Sequence, residues 1–121
     1  MVKQIVSEPE SATLAAWLRR EQRDLVVSDL VRTEVVRAVR RYAPELTAQA
    51  RSLFDSVSTV RVTRAITESA AMLDPRELRS LDALHLATAL AIGDDLDGLV
   101  TYDQRLARAA QDAGIATFSP R

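Results

Sequence analysis

The chain has no cysteine among its 121 residues, which excludes disulfides and thiolate metal sites and fits a reducing, cytoplasmic setting. It has a single histidine, His85, so no site built from two or three imidazoles is available. Any metal must therefore be held by oxygen. Glycine and proline are scarce, three and four residues respectively, which argues against a loop-rich or disordered chain. Aromatics are few as well, with one Trp, two Tyr and two Phe, leaving little on which nucleobases could stack. Charge of neither sign is in excess: 16 Lys and Arg against 17 Asp and Glu give a net charge of −1. Bulk attraction to nucleic acid is thereby excluded, while local basic faces remain possible. No stretch approaches the roughly 18 apolar residues needed to cross a bilayer, and no long apolar run opens the chain, so no membrane association is expected. What is present, 47% hydrophobic and 27% charged residues, describes one helix-rich globular domain with a single core.

Ser7-Glu8-Pro9-Glu10 has the form of a helix start with a capping box, and Leu14, Trp17 and Leu18 follow at helical spacing. Leu25–Ser28 is a short apolar run suited to a buried strand, passing directly into a segment of helical period that Pro44 breaks. The same patterns predict a helix over Glu45–Val57, a strand over Thr59–Thr63, a helix over Ala65–Leu73 and a strongly apolar helix over Asp82–Ile92 stopped by Gly93. A strand at Leu99–Tyr102, a helix over Asp103–Ala113 and a short strand near Ile115–Phe118 complete the chain. Strands alternate with helices, which implies an α/β fold with a short parallel sheet flanked by helices on both faces. In such sheets functional groups collect beyond the carboxyl ends of the strands.

Asp82 is the one formal charge between Leu81 and Ala91, and burying an unpaired carboxylate in so apolar a segment costs several kcal/mol, roughly. Glu34, in the helix after the first apolar run, and Asp103, just past LVTY, are placed to share its neighbourhood. Three carboxylates without a local cation repel unless a divalent ion neutralises them, and hard oxygen ligands suit Mg²⁺ or Mn²⁺ in phosphodiester hydrolysis. Each has a plainer reading. Glu34 precedes Arg37 and Arg41 at helical spacing and could form surface salt bridges, Asp103 could only cap its helix, and Asp82 could only favour a helix dipole. His85 reads first as a packed, hydrogen-bonded core residue. Arg37, Arg40 and Arg41 form a basic face, with Arg61, Arg64, Arg76 and Arg79 elsewhere; these are either solvated charge or a rim for a ribose-phosphate backbone. A helix-turn-helix reading is weak, because the Pro44 break leads into a helix whose only arginine is Arg51.

SDLVRTEVVRAVRR (Ser28–Arg41), LRSLDALHLATAL (Leu78–Leu90) and LVTYDQRLARAAQDAGI (Leu99–Ile115) together resemble the PIN domain of VapC-type toxins from bacterial toxin–antitoxin pairs. The resemblance implies a three-layer α/β fold, a Mg²⁺- or Mn²⁺-dependent endoribonuclease acting on RNA, a homodimer and a cognate VapB-type antitoxin. It also implies catalytic and metal-site roles for Glu34, Asp82 and Asp103, with Thr101 as a supporting hydroxyl, while the basic face of the Glu34 helix supplies Arg37 and Arg41 as the expected substrate contacts. The family's first strand, of the form LDTSALVK and bearing a fourth carboxylate, has no counterpart, because MVKQIVSEPES matches only its end. The expectation is a single domain over residues 1–121 lacking that strand, with an open seam where it should lie and weakened or absent activity. An inactive PIN-like module that binds an antitoxin or RNA is the alternative.

Overall fold

The computed structural model describes residues 3–6, 25–55, 58–101 and 103–118. Within them the chain forms β1 (Lys3–Val6), β2 (Leu25–Ser28), α1 (Asp29–Tyr42), α2 (Thr47–Asp55), β3 (Ser58–Val60), α3 (Arg64–Ala71), α4 (Ser80–Ile92), β4 (Leu96–Val100), α5 (Gln104–Asp112) and β5 (Thr117–Phe118). The helix expected from Ser7–Glu10 through Leu18 lies outside the described residues. Helix starts follow local chemistry: Ser28 Oγ accepts from the Val31 amide at 3.2 Å to open α1, and Thr63 Oγ1 accepts from the Ile66 amide at 3.3 Å to open α3. Helix ends follow it too. Gly93 and Gly114 take positive φ values of 74° and 87° just past α4 and α5, a conformation that side chains with a Cβ resist.

All strand pairs are parallel, in the order β3-β2-β1-β4-β5. The expected open seam is absent: β1 lies in the centre, with Ile5 paired to Val26 of β2 on one side and Leu99 of β4 on the other. The segment KQIV thus satisfies ladder groups of both neighbours that would otherwise be stranded in the core. It does so with no carboxylate in its own sequence.

Successive residues of β4 point to opposite faces of the sheet, and the core divides accordingly. Val100 joins Val27, the α1 stripe Val31, Val35 and Val39, and Ala50 and Phe54 of α2. Leu99 joins Leu86 and Ala89 of α4 and Leu106, Ala109 and Ala110 of α5. A third cluster packs Ile66 and Ala70 of α3 on Ala83 and Ala87 of α4, so α4 is covered by apolar partners on two sides. This explains a helix with almost no polar face.

β4 begins at Leu96, three residues before the predicted start, because the polar stretch after α4 is taken up by one tight turn at Gly93–Asp95. Asp97 and Gly98 then enter the ladder. A Cβ on Gly98 would collide with the Phe118 ring and sit 2.6 Å from the Ala116 carbonyl oxygen, where backbone cannot give way. Gly98→Ala is therefore expected to cost about 2 kcal/mol by overpacking the β4–β5 edge, read as a fall in thermal midpoint of about 10 °C. An unchanged midpoint would show that β5 can shift freely.

Candidate active site

The strand order reverses direction beside β1, and in open parallel sheets such a point leaves a crevice beyond the carboxyl ends of the strands. Here β4 ends at Val100 and runs into Thr101 and Asp103. Thr101 is buried, and its Oγ1 accepts the Asp103 amide hydrogen at 3.1 Å. Asp103 in turn caps α5, Oδ1 accepting from the Arg105 and Leu106 amides at 2.8 and 3.1 Å. The cap engages Oδ1 of the carboxylate.

Asp82, half-buried in the first turn of α4, lines the same cleft as Asp103, a concavity of about 840 Å³. Two of the predicted carboxylates, some twenty residues apart in sequence, are thus brought together. Glu34 does not line that cleft. Its Oε1 lies 3.7 Å from Nε2 of His85, which is one helical turn beyond Asp82 on α4. His85 is packed as expected, 2% exposed, but Nε2 has no hydrogen-bond partner among the described residues. Burial lowers its pKa from 6.5 to about 4, so the ring is neutral at pH 7 and its contact with Glu34 is not an ion pair. Among the described residues no group of three or more His, Asp and Glu is disposed to hold a metal.

The arginines fall differently from expectation. Arg37 and Arg41 border a separate shallow groove with Arg40 and Tyr42, where Arg41 lies over the Tyr42 ring at 5.3 Å. The arginines of the Asp82–Asp103 cleft are Arg79, Arg105 and Arg108. Arg105 and Arg108 were not singled out in the sequence. Their spacing from Asp103, the capping residue of an amphipathic helix, is the signal that could have found them.

The sequence pattern of the PIN domain family matches residues 2–112. This chain is a member of the PIN domain family. Among curated relatives of this PIN domain are two ribonucleases of Mycobacterium tuberculosis. VapC47 is 39% identical over 99% of this chain and 91% of that protein, and VapC46 is 40% identical over 99% and 92%. Among solved structures, Mycobacterium tuberculosis VapC20, described as a sarcin-ricin loop cleaving toxin, superposes with a TM-score of 0.68 at 19% identity, covering 98% of this chain and 100% of that one. PAE2754 from Pyrobaculum aerophilum gives 0.66 at 19%, covering 96% and 89%. At such identities these two structures speak to the fold of this PIN domain alone, which they share.

The Thr101 hydroxyl fixes the turn that presents Asp103, so Thr101→Val is expected to lower activity about 10- to 100-fold, the scale on which loss of a positioning group acts. Thr101→Ser keeps the hydroxyl and should retain most of it. Equal rates for the valine and serine variants would remove Thr101 from this role.

Proposed function

We propose that Asp82 and Asp103 hold a divalent cation, Mg²⁺ or Mn²⁺, in the cleft at the carboxyl edge of the sheet, with Glu34 as the third carboxylate of the catalytic set. The chain is an endoribonuclease toxin of the VapC type, one half of a VapBC pair and a metal-dependent hydrolase of RNA phosphodiesters. Its inhibitor is a VapB-type antitoxin, its working unit a homodimer and its setting the cytoplasm; no helix among the described residues is long and apolar enough to cross a membrane. The observation that carries this reading is the meeting of Asp82 and Asp103, from separate elements, in one open cleft.

The donor set fits such an ion. Mg²⁺ is commonly held by only one or two carboxylates, with water and substrate phosphate completing its shell, and two half-buried carboxylates facing a roomy cleft offer that arrangement. When bound, the cation supplies Lewis acidity toward the phosphate and a more acidic water. The residues do the rest. Asp82 and Asp103 anchor negative charge at a defined place, the Thr101 hydroxyl holds the Asp103 turn, and Glu34 adds negative charge one helix away against the neutral His85 ring. Arg37 and Arg41, in their separate groove, extend the RNA contact surface beyond the cleft.

One observation favours a second reading, a non-cleaving module that binds RNA or an antitoxin: the central strand KQIV brings no carboxylate to the site. A labelled unstructured RNA incubated with the purified chain separates the two. Internal cuts with Mg²⁺ or Mn²⁺ that vanish on chelation support the nuclease. RNA left intact with either ion, by protein that still binds it, sinks the nuclease and leaves the module.

A further inference from the structure

The Asp82–Asp103 cleft carries positive charge that the metal reading does not use. Arg105 and Arg108 lie on α5, one turn apart and about 4.5 Å along its axis, on the stripe that faces the cleft; Arg79 faces it from the start of α4. All three side chains belong to exposed residues, and none forms an ion pair among the described residues, although Glu77, Asp82, Asp103 and Asp112 line the same space. Guanidinium groups left unpaired beside carboxylates are available to an incoming anion with planar, bidentate geometry. Arg79 also stands at the N-cap of α4, where no side chain caps the first amides, so the positive end of that helix adds to the same field. Among the described residues no aromatic side chain lines the cleft, so what that lining offers a nucleic acid is contact with its phosphates. A volume of about 840 Å³ is that of a small-ligand pocket and accommodates a short stretch of one strand.

We infer that Arg105 and Arg108, opposed by Arg79, bind the phosphates next to the scissile one, so that the cleft selects an unpaired RNA segment by its backbone and not by its bases. This rests on the nuclease reading for the position of the cut, but the binding step stands apart from it. Asp103 lies at one end of the α5 stripe and Asp112 at the other; phosphates are attracted between them and repelled beyond Asp112, which limits the stretch that α5 can hold.

Binding is measured with the cleavage-impaired Asp82→Asn protein in chelator, using fluorescent single-stranded RNAs of two unrelated sequences over a range of salt. Arg105→Ala/Arg108→Ala is expected to weaken both RNAs equally, by about tenfold or more, and to reduce the slope of log K against log salt by about 1.4, from about 0.7 per phosphate contact on a single strand. Arg105→Lys/Arg108→Lys should keep the slope while losing part of the affinity. Arg32→Ala/Arg51→Ala, an equal charge change on the α1–α2 side, should leave the slope unchanged. A duplex of either sequence should bind more weakly than its single strand. An unmoved slope in the alanine variant overturns the inference, and so does a loss confined to one sequence, which would mean base readout. Cleavage by wild type with an unmoved slope defeats this inference alone, whereas a reduced slope without cleavage by wild type defeats the nuclease reading and leaves phosphate binding in place.

Discussion

Asp82→Asn is expected to lower metal-dependent RNA cleavage by at least about 10²-fold, the scale on which removal of one preorganised electrostatic group acts in the transition state. The substitution keeps the size of the side chain and removes its charge. Asp82 sits in the first turn of α4, where a negative charge gains about 0.5 kcal/mol from the helix dipole, and it is half-buried among apolar neighbours, where the charge carries a desolvation cost. These terms oppose one another, so the fold should keep its thermal midpoint to within a few degrees while activity falls. Asp103 allows a sharper separation. Asn caps helices as well as Asp, whereas Ala forfeits about 1 kcal/mol; Asp103→Asn should therefore lose activity with little stability change, and Asp103→Ala should lose both. If the two carboxylates serve one cation, the double Asn variant should be hardly slower than either single, because the second change removes nothing that remains. Single-turnover rates with Mg²⁺, corrected for the rate in chelator, decide this. Either Asn variant cleaving within about threefold of wild type would remove that carboxylate from the site.

The parts of this molecule legible in its sequence are those set by local periodicity and local chemistry. Val31, Val35 and Val39 recur every four residues and form the buried stripe of α1, and Gly93 ends the helix predicted to stop at it. The capping and catalytic readings of Asp103 looked like competitors in one dimension. In the structure Thr101 holds the turn and Asp103 Oδ1 closes the helix, which is the capping reading; the catalytic one is the proposal that the shared cleft with Asp82 supports. What the sequence hid depends on partners distant along the chain. KQIV is four residues long and half polar, and nothing in it announces a strand with neighbours on both sides; β2 and β4 make it one. Amphipathic spacing puts Arg105 and Arg108 on the outer side of α5, yet only the approach of α4 makes that side the wall of a cleft. His85 was legible as buried, but its neighbour Glu34 comes from α1 and approaches to 3.7 Å, beyond hydrogen-bond range.

That placement makes His85 an acid-sensitive element of the fold. Two effects compete for its pKa: burial disfavours the charged ring, and the Glu34 carboxylate favours it. Burial dominates and lowers the value from 6.5 to about 4, because the ring is 2% exposed and the carboxylate is too distant for a charge-assisted hydrogen bond. The native state therefore refuses a proton that the unfolded chain accepts below pH 6.5. Since the unfolded state binds more protons between pH 6.5 and 4, stability falls as pH falls across that window, is full above it and levels off below it. The drop attributable to this one ring is on the order of 3 kcal/mol, a large share of the roughly 5–15 kcal/mol that holds a typical domain together. Urea unfolding in chelator at pH 7.5 and pH 4.5 should show the loss, and His85→Gln, which cannot titrate, should flatten the part of it that carboxylates do not supply. Because the chain has one histidine, its imidazole proton signal needs no assignment, and its midpoint should lie near pH 4. A midpoint above 6.5 would mean that Glu34 outweighs burial, and stability would then rise instead of fall as His85 gains its proton.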